Sequence, residues 1–239
     1  MKARYFVVRQ EKHIKRNMQQ HIKAKNLPSI AVCIATRGLI NTWCMESVLK
    51  NLEGYPYRIY FTKDQPIPDA QNTLVTEALA GGQDYLWFVE EDMLIPDGAL
   101  TAMMAVQAPV VAVDYPMGNG YGCVCKKDGK VLWTGLGCTL IERRVFEAIG
   151  QPYFRNDQTA RITNLEHMEF YIEDVPNKYG GHDILFGLAV NKAGFTIHHL
   201  DTMTATHIKI KEYGKPGVNN GMHQYQRLTD IIHRQEYFS

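Results

Sequence analysis

The residues most suited to chemistry are three adjacent carboxylates, Glu90, Glu91 and Asp92. They follow directly on Tyr85-Leu86-Trp87-Phe88-Val89, an apolar and aromatic run, and Pro96 closes the segment. A continuous apolar run of this length reads as a strand buried on both faces. In open α/β sheets, ligands bind outside the carboxyl ends of the strands, where these acids fall. Carboxylates so close repel one another unless a cation sits among them. Their oxygens suit a hard divalent ion, Mg²⁺ or Mn²⁺, which keeps positions open for phosphate oxygens. The competing reading is an acidic surface turn after a core strand.

The elements around this stretch alternate. Ile30–Ala35 is a buried strand by composition, and Thr36-Arg37-Gly38 is its loop. Thr42 can cap a helix that carries Trp43, Met45, Val48, Leu49 and Leu52 and stops at Gly54. Arg58–Thr62 is a second strand. Asp69 can cap a helix running to Gly81-Gly82. After the acidic strand, Asp97 caps a helix to about Val106, and Pro109–Asp114 is a further strand. Helical crossovers of this length favour parallel pairing and a doubly wound sheet.

Past Asp114 the alternation breaks. Tyr115–Gly122 is rich in turn residues, and Asp128-Gly129 between Cys123–Lys126 and Lys130–Thr134 is a strong hairpin signal. Thr139–Ile141 is a short apolar segment, and Arg143–Ile149 reads as a helix. Residues 151–181 are weakly patterned and read as a long lid or binding loop. His182–Ala193 is helical, ending at Gly194. Phe195–His198 and Met203–Ile208 are short strand candidates, and a C-terminal helix is expected from about Gly221.

Bulk properties bound the answer. The chain of 239 residues suits one large domain or two small ones, with apolar and charged fractions ordinary for a globular protein. The net charge of +1 hides an asymmetry, because residues 1–29 carry +7 and the remainder −6. A basic arm on an acidic body attracts phosphate backbones or acidic surfaces; a leader packed on the body is the other reading. The five cysteines lack zinc-ligand spacing and read as reduced thiols. No segment has the apolar length of a signal peptide or membrane span, so the expected setting is a reducing cytoplasm, the host's if the protein is viral.

From about Ile30 to Ile208 the chain resembles the nucleotide-sugar glycosyltransferases of the GT-A fold. Four pieces carry the resemblance. Ile34-Ala35-Thr36-Arg37 ends the first strand, where the family holds nucleoside base and ribose. Asp69-Ala70-Gln71-Asn72 resembles the family's Ala-Arg-Asn donor element, with Gln71 in place of the arginine. Glu90-Glu91-Asp92 resembles the DxD motif; Asp92 matches its metal-binding Asp, and Glu90 departs from its first Asp. Gly180-Gly181-His182-Asp183, followed by Gly194-Phe195 and Thr204-Ala205-Thr206-His207, resembles the family's Glu-Asp helix start and its downstream histidine ligand, with His182 where Glu is usual.

The resemblance implies an α/β fold: a single GT-A-like domain with a Rossmann-like, mostly parallel central sheet flanked by helices and an acceptor-side hairpin and loop region. Behind a basic arm (1–29), the domain (30–239) would divide into a donor half (30–114), an acceptor half (115–208) and a C-terminal segment (209–239). It implies metal-dependent, inverting transfer of a sugar from a nucleoside diphosphate sugar, a UDP-sugar foremost, to an acceptor hydroxyl. Mn²⁺ or Mg²⁺ would be held by Asp92, His207 and Glu90. Ala35, Thr36, Arg37, Asp69, Gln71, Asn72, Glu90 and Glu91 would bind donor. Asp183 would take the acceptor proton, and Tyr115, Tyr121, Trp133, Gly137 and His182 would line the acceptor pocket. Acceptors consistent with the arm are a glycan or a nucleic acid, including a modified base in DNA, as in small viral glycosyltransferases. The alternatives are a sugar-nucleotide nucleotidyltransferase and a non-catalytic binding protein on the same scaffold.

Overall fold

Strand β1 (Ile30–Thr36) sits inside the sheet and is buried along most of its length. Its side chains alternate between two cores, as period-two geometry requires. Ile30, Val32 and Ile34 face one, with Cys44, Val48, Leu100 and Met103; Ala31 and Cys33 face the other, with Leu74, Val75, Phe146 and Phe186. The computed structural model describes residues 27–117, 122–164, 167–177, 181–208, 211–213 and 222–224. The expected arm up to residue 26 lies outside these, as do Tyr121, Gly180 and most of the C-terminal segment.

The other elements follow in chain order. They are α1 (Thr42–Asn51), β2 (Tyr57–Lys63), α2 (Asp69–Gly81), β3 (Tyr85–Val89), β4 (Met93–Leu94), α3 (Ala99–Val106) and β5 (Val110–Asp114). Then come β6 (Cys125–Lys127), β7 (Lys130–Trp133), β8 (Cys138–Glu142), α4 (Arg143–Ile149), β9 (Thr159–Asn164) and β10 (Glu169–Glu173). The described chain ends with α5 (His182–Lys192), β11 (Ile197–Thr204), β12 (Thr206–His207), β13 (Lys211–Tyr213) and β14 (Met222–Gln224). Six strands make the central sheet, in the order β11-β5-β8-β3-β1-β2. β1 pairs in parallel with β2 and β3, and β5 with β11; β8 is antiparallel to both of its neighbours. Helices α1 and α3 supply one core, and α2, α4 and α5 the other.

This is the expected mostly parallel sheet between helices, with differences that have physical causes. Among the described residues, no helix lies between β5 and β8. The chain instead makes the β6–β7 hairpin and returns as β8, which must run the opposite way and so separates β3 from β5. The hairpin turns at Asp128-Gly129, both at positive φ, as a tight two-residue turn demands. The expected loop 151–181 is not structureless: within it β9 and β10 form an antiparallel hairpin, with Phe170 of β10 edge-on to Trp133. The two strand candidates near the end are one long bulged strand, β11, followed by β12. Met222–Gln224, expected at the start of a helix, is a strand paired with β13.

Three expected caps shift by one residue. Asn41, not Thr42, caps α1, with its Oδ1 accepting from Trp43 N at 2.9 Å. Pro68 and Gly98 stand at the N-caps of α2 and α3 instead of Asp69 and Asp97. Asp97 is instead paired with Lys50.

The second core contains an aromatic cluster. Phe146 and Phe186 stack at 5.6 Å, Phe154 lies 4.7 Å from Phe186, and Phe88 packs edge-on to Phe154 at 5.6 Å. Asn72 pins this cluster to α2, accepting from Phe154 N and donating to Phe154 O. Phe146→Ala is expected to cost about 3–5 kcal/mol of stability, measured by urea unfolding.

Candidate metal centre

The three carboxylates occupy the turn between β3 and β4, at the carboxyl end of the parallel strands. The turn is held almost wholly by main chain. Met93 N donates to Glu90 O, Asn41 N to Glu91 O, and Ile208 N to Asp92 O at 2.7 Å. Cys44 Sγ donates to Glu90 O at 3.3 Å. Because β12 pairs with β4 in the register His207↔Met93, a residue 115 positions from Asp92 arrives beside it. His207 Nε2 lies 3.1 Å from Asp92 Oδ2.

Glu90, Asp92 and His207 each present one ligand atom, and the three atoms lie within 4.8 Å of one another. Two carboxylates and one imidazole, all half-buried, form a donor set that fits Mn²⁺ or Mg²⁺, since carboxylates suit both ions and imidazole is acceptable to Mn²⁺. Burial, and next the charge of Asp92, push the Glu90 carboxyl up to about 7. The group therefore sits in a field that favours added positive charge.

Glu91 turns away from this cluster. Its carboxylate accepts from Arg37 Nε at 2.6 Å and from Arg37 N at 2.9 Å. Arg37 and Glu91 thus latch the β1 loop to the acidic turn, and each occupies the other's charge. Thr36 is also engaged, its Oγ1 donating to Leu39 O and accepting from Gly38 N. Ala35 is half-buried at the end of β1. Asp69 is exposed. Asn72 has both amide atoms committed to Phe154. Gln71 is buried, and its Oε1 has no hydrogen-bond partner.

Asp183 stands in the first turn of α5. The N-cap is Gly181, at φ 82°, with no side-chain cap bond, so Asp183 is not the cap. Its Oδ1 accepts from Ile184 N at 2.9 Å, and its charge acts on both Glu90 and Tyr115. Helix α5 reaches this position because Gly187 lies against β7, where a Cβ would come within 2.6 Å of the Trp133 Cα. His182 is half-buried, edge-on to Phe154 at 6.5 Å, and burial lowers its pKa.

The expected acceptor aromatics are placed differently. Tyr115 and Trp133 are only 5% and 6% exposed, so neither offers an open face for a sugar or base. Tyr115 meets the His207 ring edge-on at 5.9 Å and accepts from Gly137 N through its hydroxyl. Gly137 is buried against it. Sequence reasoning missed the Asp114 carboxylate, whose Oδ1 accepts from Tyr115 N, Cys123 N and Val124 N. An acid ending a strand before a turn-rich loop was the available signal.

No protein-family model and no curated protein matches the chain. Solved structures do. A197 from STIV is 18% identical, with a TM-score of 0.55 over 84% of this chain and 96% of that one. GalNAc-T7, solved with UDP, GalNAc and Mn²⁺, is 11% identical with a TM-score of 0.51, over 77% of this chain and 44% of that one. The fold is GT-A-like. Within that fold, the turn after β3, the β12 histidine and the start of α5 converge at one end of the sheet. Among the described residues, no helix is long and apolar enough to cross a membrane.

The raised Glu90 pKa has a stability consequence. The folded protein holds this proton more tightly than the unfolded chain, so the group's contribution is complete below about pH 4.5 and is lost as pH rises through about 7. In EDTA, the melting temperature of wild type minus that of Glu90→Gln is expected to fall across that window. A flat difference would show that Glu90 does not titrate there.

Proposed function

We propose that the protein is a metal-dependent glycosyltransferase that moves a sugar from a nucleoside diphosphate sugar, a UDP-sugar foremost, to an acceptor hydroxyl with inversion. The observation that carries this reading is the convergence of Glu90, Asp92 and His207, with the charge of Asp183 acting on Glu90 from a separate helix. GalNAc-T7, which shares the fold, was solved with UDP and Mn²⁺. The catalytic unit would be one domain from residue 30, with donor-binding residues before Asp114 and acceptor-side elements after it.

Asp92, His207 and Glu90 would hold Mn²⁺ or Mg²⁺. Bound there, the ion supplies Lewis-acid neutralisation of the charge that develops on a leaving diphosphate. The protein's own groups do the rest. The Arg37–Glu91 latch fixes the loop that receives the nucleoside. Asp183 accepts the proton of the attacking hydroxyl as the new glycosidic bond forms and the bond to the diphosphate breaks. The excess charge of +7 in residues 1–29 favours a polyanionic acceptor such as nucleic acid.

A thermal-shift screen of nucleoside diphosphates and their sugars, with and without Mn²⁺, tests the donor site. Stabilisation by one nucleotide is expected to require both Mn²⁺ and Asp92, and to vanish in Asp92→Asn. No shift across the panel would overturn the reading. Asp183→Asn is expected to keep that shift while losing roughly 10²–10⁴-fold in turnover. Release of pyrophosphate instead of a nucleoside diphosphate would identify a nucleotidyltransferase.

A further inference from the structure

Tyr115 is surrounded on every side by constraints that no acceptor-stacking residue needs. Its ring is buried and lies edge-on to the His207 imidazole at 5.9 Å. Its hydroxyl accepts from Gly137 N at 3.2 Å. Its backbone N–H is held by Asp114 Oδ1 at 2.9 Å, and its carbonyl accepts from Cys123 N at 3.1 Å. The same Asp114 accepts from Ala205 N through its own carbonyl at 2.8 Å, two residues before His207. Two glycines leave room for the ring. A Cβ at Gly135 would come within 2.2 Å of the Tyr115 hydroxyl, and one at Gly137 within 2.7 Å of Cε1.

The pairing of His207 with Met93 sets its backbone, and its Nε2 meets Asp92 Oδ2 at 3.1 Å. An imidazole that ligates through one nitrogen needs its ring orientation fixed from outside the ligand set. The edge of Tyr115 meets that ring almost at right angles, at 82°, which is a favoured aromatic geometry. We propose that Tyr115 is the positioning residue of the candidate metal centre: it holds the His207 ring toward Asp92, and Asp114 and Gly137 hold Tyr115. The inference rests on the cation reading given above and adds to it a residue that touches neither ion nor substrate.

It also couples two regions. The segment Thr134–Gly137 leads into β8, whose Cys138 pairs with Val89, the last residue before Glu90. Tyr115 therefore joins the acceptor-side hairpin, the end of β3 and the β12 histidine at one ring. A displacement of residues 134–137 would turn His207 without breaking any ligand contact directly.

Mn²⁺ affinity, read by electron paramagnetic resonance of the free ion and by calorimetry, tests the proposal without any turnover. Tyr115→Leu removes the ring, and Gly137→Ala places a Cβ within 2.7 Å of its Cε1 and so displaces it. Each is expected to weaken Mn²⁺ binding about tenfold or more, within the range seen when outer partners of a metal ligand are changed. Tyr115→Phe, which keeps the ring and loses only the hydroxyl, is expected to stay within about threefold of wild type. A purely structural role would lower the melting temperature of Tyr115→Leu and Gly137→Ala and leave the Mn²⁺ affinity of the folded fraction unchanged. That result overturns the proposal. Should Tyr115→Leu fail to fold, Gly137→Ala and Tyr115→Phe decide it alone. Wild-type protein that binds no Mn²⁺ overturns the cation reading and this inference together, which distinguishes the two failures.

Discussion

The repulsion among the carboxylates after β3 is the constraint that the surrounding structure answers. Two negative charges within 4.8 Å cost roughly 3–4 kcal/mol at an effective dielectric of 20. An exposed ion pair contributes about 0–1 kcal/mol, so the latch from Arg37, whose side chain is 86% exposed, cannot offset this. Nor is it directed there, since it engages Glu91 alone. Glu90 and Asp92 are left with a proton, the His207 imidazole or a divalent ion as the means of relief. The upward shift of Glu90 is the proton solution. A cation bound there would displace it and use the same oxygens.

Holding that cost in place requires a rigid frame, and the frame is backbone. The turn is tied through the main chain of Glu90, Glu91 and Asp92 to α1, to the β1 loop and to β12. The side chains are thereby freed for chemistry. On the other side, Gly135 and Gly137 admit the Tyr115 ring, and Gly187 admits α5 against β7. These glycines act by the absence of a side chain at a close approach, a role that composition does not reveal.

The strands β1, β3 and β5 were legible because each is buried on both faces and reads as a nearly uninterrupted apolar run. The acidic turn was legible because charge so close to such a run is costly. Four features were not. β8 is as apolar as its neighbours, so nothing local marks its reversed direction; only the missing helix after β5 does. The β9–β10 hairpin is mostly exposed, and Arg161, Glu169 and Glu173 in it mask the period-two signal. The burial of Tyr115 and Trp133 was not legible, because an aromatic near a turn-rich loop reads the same whether it faces solvent or the core. The helix caps shifted because α1 takes its side-chain cap from Asn41, one residue before Thr42, while α2 and α3 start behind Pro68 and Gly98 with no side-chain cap, one residue before Asp69 and one after Asp97.

A likeness at 11–18% identity shows the scaffold, and a scaffold hosts more than one chemistry. What separates glycosyl transfer from other metal-dependent transfers is a base on the acceptor side of the reacting carbon, facing the ion across it. In this fold the candidate cation groups and the Asp183 carboxylate come from different elements. Glu90 and Asp92 follow β3 and His207 lies on β12, whereas Asp183 rides on α5. The spacing between them is therefore set by the seating of α5 on β7, where Gly187 meets the Trp133 backbone and Asn191 Nδ2 donates to Leu132 O. A bulkier residue at 187 would lift the helix and carry the carboxylate with it, leaving the cation groups untouched. The geometry that would define the reaction is thus stored in helix-to-hairpin packing on the acceptor side, remote from the acidic turn that first marks the site.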